Sequence, residues 1–303
     1  MNKMAYTTED LAYFHLPDTQ ESRQKIVTLD LFLNIDKINL ATRTQKLNDE
    51  TLFLYDDYLQ EILTFEHVEK LQILETLMNT EVINNHVVER ENINLLKKYN
   101  ETHHSTAINY LLQRLVREQK KLDTNIINEA HKRLMMGTSN GNKIFKKVRN
   151  NNKTFVGYKE QEEIVVNYLP ISYDEIAKSL ELLCSYYNDK CSQPTMSLIK
   201  PIIVHGLIAT LQMFEDGNTR FARCMQHVNL FTNTNNLLNI SLELPSLYCS
   251  KTYIPYRRQY RELIMKLALD PSFEAWDDWI NFNLRRVQDQ LYANQEKLIR
   301  LKK

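Results

Sequence analysis

Apolar residues recur at helical spacing along most of the chain. Residues 57–78 show this pattern without a single Gly or Pro, and residues 106–121 place several leucines on one face. Such a period predicts amphipathic α-helices. The same pattern continues in further segments, at residues 123–136, 200–213, 219–232, 253–269 and 273–298. The last of these becomes highly polar, so we expect its end to project into solvent.

A capping signal precedes one more helix. Ser172 and Glu175 form the pattern S-x-x-E, in which each side chain can accept a backbone N–H at a helix start. An apolar stripe follows, made of Ile176, Leu180, Leu183 and Tyr187. We therefore expect a capped helix over residues 171–188.

Residues 137–170 depart from the helical pattern. They hold three of the five glycines and two short β-type runs, Thr154–Tyr158 and Ile164–Tyr168. Two such runs close together predict a β-hairpin, which we place at residues 145–168. The fold class is therefore mainly α with one hairpin. Residues 1–50 have a mixed pattern, and we expect them to pack on the helical body.

The charge balance narrows the classes of partner. The chain of 303 residues carries 38 Lys and Arg against 38 Asp and Glu. A dedicated nucleic-acid or membrane-surface binder usually has a basic excess, so neither is expected. No apolar run reaches the length of a membrane span, and the first residues lack the apolar core of a signal peptide. These features predict a cytoplasmic protein.

The cysteines give no sign of a metal site or a disulfide framework. No CxxC pair occurs among the four, which are Cys184, Cys191, Cys224 and Cys249. We expect them to be free thiols in a reducing compartment.

Residues 212–223, which read QMFEDGNTRFAR, hold the densest chemistry in the chain. An apolar helix ends there, and a second helix is expected to start near Thr219. A Gly-Asn turn at a helix start presents backbone N–H groups to an anion. Arg220 and Arg223 share one helix face and suit a polyphosphate, and Asp216 could hold Mg²⁺. Spacing alone leaves open an ordinary Asp-Gly turn with surface arginines.

This stretch resembles the Fic motif, HPFxDGNGRxxR. Gln212 stands at the histidine, Met213 at the proline and Thr219 at the second glycine, while the remaining positions match. The matching residues are Phe214, Asp216, Gly217, Asn218, Arg220 and Arg223.

The surroundings of the motif strengthen the resemblance. His205 lies seven residues before Gln212, as in the family's motif helix, and Tyr168-Leu-Pro170 looks like the end of the family's flap. The C-terminal pattern is similar at Pro245–Ser250 and Trp276–Phe282. The likeness covers residues 55–290. It implies a Fic-fold helical bundle with a hairpin flap, of the single-chain type with an N-terminal inhibitory helix.

The resemblance also implies three regions. These are an N-terminal helical region with the inhibitory-helix equivalent (1–100), a Fic core with the flap 145–168 and the motif loop 212–223 (101–240), and a C-terminal helical extension (241–303).

Site roles follow from the resemblance residue by residue. In the family the motif histidine is the general base for transfer of AMP from ATP, and that position is Gln212, whose amide has no usable basicity. Asp216 would hold the Mg²⁺. Gly217, Asn218 and Thr219 would form the phosphate cradle, with a tighter fit at Thr219. Arg220 would bind phosphates, and Arg223 would bind the γ-phosphate or the inhibitory glutamate.

The family's inhibitory pattern, [S/T]xxxE[G/N], is similar to residues 80–85. Thr80 and Asn85 fit, but Asn84 stands at the glutamate. A neutral amide cannot form a charge-assisted pair with Arg223, so we expect nothing in the chain to hold that arginine. The usual GxxR before the flap reads as Gly141–Ile144, a third departure.

Other residues are better explained by structural roles. We expect a helix-packing role for His205, although it could replace the missing base. Trp276 and Trp279 are expected in the core. Surface or core roles are also expected for His103, His104 and His227. The basic run of Lys146, Lys147 and Arg149 is expected to be a solvated strand edge.

Three functions remain open. The first is a Fic-fold protein that binds a nucleotide, with AMP transfer lost or weak. The second is transfer of another phosphate group at the same cleft, and the third is a non-catalytic regulatory or interaction scaffold. The implied ligands are ATP or another nucleotide with Mg²⁺, and a target protein could dock on the flap. Fold alone cannot choose among them.

Overall fold

The structure is a computed structural model, and it describes residues 6–33, 35, 38, 40–88, 101–136, 148–160, 163–189, 195–238, 242 and 244–302. The described helices are α1 (Thr8–Tyr13), α2 (Gln20–Arg23), α3 (Thr42–Leu63), α4 (His67–Val88), α5 (Glu101–Leu111), α6 (Thr124–Met135), α7 (Ile176–Asn188), α8 (Met196–Leu211), α9 (Asn218–Leu238), α10 (Ser250–Tyr253), α11 (Arg257–Leu269) and α12 (Phe273–Leu301). Strands β1 (Val156–Glu160) and β2 (Glu163–Tyr168) form an antiparallel pair. The predicted fold class, mainly α with one hairpin, is confirmed.

The predicted helix over residues 57–78 is wrong, because two helices meet there. Helix α3 ends at Leu63 and α4 begins at His67. The Thr64 hydroxyl donates to the Glu61 carbonyl, and the Glu66 N–H donates to the Glu69 carboxylate. Side chains therefore cap both ends of a break that has neither Gly nor Pro.

Two other local predictions need correction. The helix predicted over residues 106–121 is α5 followed by a π-helical turn at Leu112–Arg117. The predicted capping box is absent, because Ser172 makes no side-chain cap bond and a short 3-10 turn, Tyr173–Glu175, precedes α7. The predicted helix over 123–136 agrees with α6, which Asp123 caps.

Helix α8 is the centre of the core. All its residues after Met196 are buried, and it packs chiefly against α9. Trp276 and Trp279 of α12 close over Gly206, where a Cβ atom would lie 2.8 Å from the Trp279 indole nitrogen. The indole donates to the Ile202 carbonyl. Both tryptophans are thus core residues, as predicted.

Helix α12 packs along α3 instead of projecting freely, contrary to the sequence-based expectation. One face of its polar end is buried, at Asn294 and Leu298, while most of the other residues there are exposed. The Gln290 amide donates to Asn294, and the Asn294 amide donates to the Tyr58 hydroxyl. Paired polar side chains can be buried at little cost, so polarity alone did not indicate exposure.

The first described residues pack against the hairpin, whereas the expectation for residues 1–50 was packing on the helical body. Val27 and Leu31 do join the main helical core. Tyr6, Leu11 and Phe14 form a small core with Val166 and Leu169. Backbone bonds also join residues 25 and 27 to residue 169. None of the described helices is long and apolar enough to cross a membrane.

Candidate functional site

The motif loop joins α8 to α9 and is fixed by its own side chains. Gln212 ends α8 in the left-handed conformation, with φ 49° and ψ 53°. Gly217 has φ 78°, which suits a residue without a Cβ atom. The Asn218 amide donates to the Phe214 carbonyl and accepts from the Phe214 N–H, which closes the loop. The sequence expectation of an Asp-Gly-Asn turn opening a helix is met.

Helix α6 packs against the motif loop through His131 and Met135. The His131 ring stacks on Phe214 at 3.6 Å, and its Nε2 lies 2.8 Å from the Asp216 carbonyl oxygen. Burial lowers the pKa of His131 to about 4, so the ring is neutral at pH 7 and donates from Nε2. A Cβ at Gly217 would collide with Met135 of α6. The sequence analysis missed His131, because nothing in its own helix marks its contact with a distant loop.

Arg149 supports the loop from the flap side, so the prediction of a solvated strand edge is wrong for this residue. It is buried, and its Nε donates to the Gln212 carbonyl while its backbone N–H donates to the Met213 carbonyl. Its Nη1 donates to the Asn151 carbonyl. The buried arginine thereby ties the start of the flap to the end of α8.

A cleft of about 600 Å³ opens above the motif loop. Its walls are the flap, the loop and α11, with Val88 of α4 at one side. Volumes of this size are typical of small-molecule sites. The loop residues that line it are Gln212, Glu215, Asp216, Gly217, Asn218 and Thr219. Most of the residues predicted to bind a phosphate ligand therefore meet in one cleft.

Gln212 occupies the cleft wall next to Tyr168. Its amide Nε2 donates to the Ala209 carbonyl one turn earlier in α8, at 2.6 Å. An amide held this way can orient a polar ligand with its oxygen but cannot accept a proton at neutral pH.

Asp216 is 37% exposed at the lip of the cleft, and its Oδ1 accepts from Arg220 at 3.3 Å. It also accepts from the Gly217 N–H. The guanidinium of Arg220 is buried and does not line the cleft. In this arrangement Arg220 positions the carboxylate, whereas the sequence analysis had placed it on the phosphates.

Arg223 is fully buried and faces α4 instead of the cleft. Its Nε donates to Asn85 Oδ1 at 2.5 Å, and its Nη2 donates to the Asn85 carbonyl at 3.0 Å. The expectation that nothing holds Arg223 is therefore wrong. The partner is Asn85, whereas the sequence pattern had put Asn84 at the pairing position. The Thr80 hydroxyl donates to the Thr76 carbonyl of its own helix.

His205 belongs to a buried polar network. Its Nδ1 lies 2.6 Å from Gln226 Oε1, so Nδ1 donates and Nε2 accepts from the Tyr260 hydroxyl at 2.8 Å. Arg223 Nη1 donates to the same hydroxyl at 3.4 Å. Burial lowers the pKa of His205 well below its usual value. The ring does not line the cleft, which agrees with the predicted packing role.

Helix α4 is anchored by Glu81, one turn before Asn85. The Ser250 hydroxyl and N–H both donate to this buried carboxyl, and His227 lies 3.6 Å away. Burial raises the pKa of Glu81 to about 8, against an ordinary value of 4.5. The fold therefore favours the protonated acid.

A pH-dependent effect on stability follows for Glu81. Because the folded-state pKa lies above the unfolded one, its stabilising contribution is complete below pH 4.5 and is lost as the pH rises through about 8. The side chain introduced by Glu81→Gln stays neutral at every pH. As the pH rises through about 8, we therefore expect the free energy of unfolding of this variant to increase relative to that of wild type, by at most about 1.4 kcal/mol per pH unit. Urea unfolding at several pH values measures the difference. Glu75→Gln, an exposed change in the same helix, is the control. A difference for Glu81→Gln that is independent of pH would contradict the assignment.

Some residues of the sequence analysis lie outside the described part of the structure. They are Gly141–Ile144, Lys146, Lys147, Cys191 and the side chains of His103 and His104. His227 is buried and accepts from the Cys249 N–H. Among the described residues, no group of three or more His, Cys, Asp or Glu is placed to hold a metal.

Known proteins share this fold. The model of the Fic/DOC family matches residues 121–230. Fic-1 from C. elegans is 15% identical with a TM-score of 0.59, covering 85% of this chain and 73% of that one. A Fic family protein from Desulfovibrio desulfuricans G20 is 13% identical with a TM-score of 0.57, covering 86% and 76%.

A third solved structure completes the comparison. A Fic domain containing signaling protein from Bacteroides thetaiotaomicron is 11% identical with a TM-score of 0.53, covering 81% of this chain and 98% of that one. None of the curated proteins matches the chain. Residues 121–230 thus match a Fic/DOC domain, and the three structures share the fold over 81–86% of the chain.

Proposed function

We propose that the cleft binds a nucleotide or another phosphate-bearing ligand, and that AMP transfer from it is lost, weak or replaced by transfer of another phosphate group. One observation carries the proposal. The first turn of α9 opens into the cleft at Asn218 and Thr219, with Asp216 at its lip and Gln212 in the wall. The first N–H groups of a helix lack intrahelical partners and attract anions.

Mg²⁺ fits the donor set of this cleft as a bridging ion. Mg²⁺ is commonly held by one or two carboxylates together with substrate phosphates, and it needs no cage of protein ligands. Asp216 is an exposed carboxylate at the lip, and Glu215 also lines the cleft. When bound, the ion would neutralise phosphate charge. Asp216 would hold it, and Arg220 would keep that carboxylate in place.

The amide at position 212 supports the second part of the proposal, which is that AMP transfer is lost, weak or replaced. Transfer to a hydroxyl requires removal of its proton, and a general base contributes about 10² to 10⁴ in rate. Gln212 has no basic nitrogen, and its amide is already bound to Ala209. His205 is buried in its own network and does not reach the cleft.

The alternative is a non-catalytic interaction scaffold. The burial of Arg223 against Asn85 favours it, because that arginine does not reach a ligand in this arrangement. A target protein docking on the flap is compatible with either function.

A single-residue change at the helix start distinguishes the two functions. Thr219→Asp would place a carboxylate where the anion binds, yet an acidic residue in the first turn of a helix is favourable for stability. We expect millimolar ATP with Mg²⁺ to raise the melting temperature of wild type and of Thr219→Asn, and to have little effect on Thr219→Asp. If ATP stabilises none of the three folded proteins, the scaffold is the better account.

A further inference from the structure

Two arginines of α11 line the cleft. Arg220 and Arg223 are buried behind the loop, whereas Arg257 and Arg261 of α11 line the cleft itself. Among the described residues, the arginines that line the cleft therefore belong to α11, which lies outside the motif.

Helix α11 presents these two arginines from a fixed position. Arg257 and Arg261 are one turn apart and so lie on the same helix face. The Nη2 of Arg257 donates to the Val87 carbonyl, which restrains the side chain, while its buried Nε has no hydrogen-bond partner within the part of the chain that the structure describes. Arg261 is exposed. Tyr260 between them is buried and bonded to His205, so the wall is anchored in the core.

The charges around the cleft leave this wall positive. Three carboxylates also line the cleft, at Glu215, Asp216 and Glu262. Asp216 pairs with Arg220, and Glu262 pairs with Arg258, which is not among the residues that line the cleft. Glu215 belongs to the motif loop and not to α11. Two guanidinium groups together with a helix N-terminus that also lines the cleft favour an anionic ligand at both walls.

We propose that Arg257 and Arg261 form a second anion subsite, so that the cleft selects ligands with two separated anionic groups, as in a nucleoside bisphosphate. The first phosphate lies at the start of α9 and the second on the α11 wall. This inference rests on the proposed function and names the class of ligand for the same cleft. The second subsite predicts that the protein binds a bisphosphate more tightly than a monophosphate. It also predicts that this preference depends on the two arginines of α11.

Isothermal titration calorimetry of the full chain, with AMP and with adenosine 3′,5′-bisphosphate as ligands, tests this subsite. Wild type should bind the bisphosphate about tenfold more tightly than AMP, because a guanidinium–phosphate bond of about 1.4 kcal/mol corresponds to that factor. Arg261→Gln should lose most of this preference while its affinity for AMP stays the same. Arg257→Gln should have the same effect. Arg285→Gln removes an exposed arginine outside the cleft and should keep the preference.

Each outcome has a distinct meaning. Equal binding of the two ligands by wild type would overturn the second subsite while leaving the proposed phosphate site intact. A preference that survives in Arg261→Gln and Arg257→Gln would also overturn it, as would an equal loss in Arg285→Gln. If neither ligand binds to wild type, the proposed function itself fails.

Discussion

Gln212→His is expected to raise the rate of AMP transfer by about 10²- to 10⁴-fold, because it supplies a general base at a position where the wild-type amide has none. Position 212 lies in the cleft wall, which Asn218 and Thr219 at the start of α9 also line. An imidazole has an ordinary pKa near 6.5 and can take a proton from a hydroxyl at pH 7. Its wild-type counterpart is an amide bound to the Ala209 carbonyl.

Labelled ATP and Mg²⁺ provide the measurement, with label incorporated into protein as the readout. The double variant Gln212→His with Thr219→Gly tests whether the Thr219 side chain narrows the cradle. Equal rates for wild type and Gln212→His would show that another group supplies the base. If His205 were that group, His205→Ala would abolish the signal. Because His205 is buried and does not line the cleft, we expect the signal to remain.

Asn85→Ala is expected to lower the free energy of unfolding by about 1.5–3 kcal/mol, because Asn85 accepts a hydrogen bond from the buried charge of Arg223. Asn84→Ala should cost much less, since no described hydrogen bond involves the Asn84 side chain. The two variants therefore test which residue pairs with Arg223: Asn84, as the sequence pattern predicts, or Asn85, as the structure indicates.

Urea unfolding of both variants makes the comparison. Asn85→Asp is the matched change, because it keeps the oxygen that accepts from Arg223 and adds a negative charge beside the guanidinium. We expect it to be more stable than Asn85→Ala. Similar losses at positions 84 and 85 would contradict the assignment of Asn85 as the partner of Arg223.

Much of the fold could be predicted from periodicity, and its errors have physical causes. The apolar pattern located α6, α8 and α9 within a few residues, and the glycine-rich insert located the hairpin. The break between α3 and α4 was missed because side chains cap it without Gly or Pro. The buried face at the end of α12 was missed because its polar groups form hydrogen bonds with one another and with α3.

The predictions for the site also succeeded for local contacts and failed for contacts between distant segments. The turn at Asp216–Asn218 is local, so its residue types were enough to predict a loop at a helix start. The directions of Arg223 and Arg149 depend on contacts with distant segments, since Arg223 meets Asn85 and Arg149 meets the end of α8. A pattern within one segment does not report such contacts. The cleft-lining arginines of α11 were missed for the same reason.

A crystal structure of the wild-type protein with ATP and Mg²⁺ is the most direct test of the central claim, which is that this cleft binds a phosphate ligand. The account predicts phosphate oxygens at the start of α9, next to Asn218 and Thr219, with a metal ion between a phosphate and Asp216. An empty cleft at millimolar ATP, or a nucleotide bound at another surface, would contradict the claim.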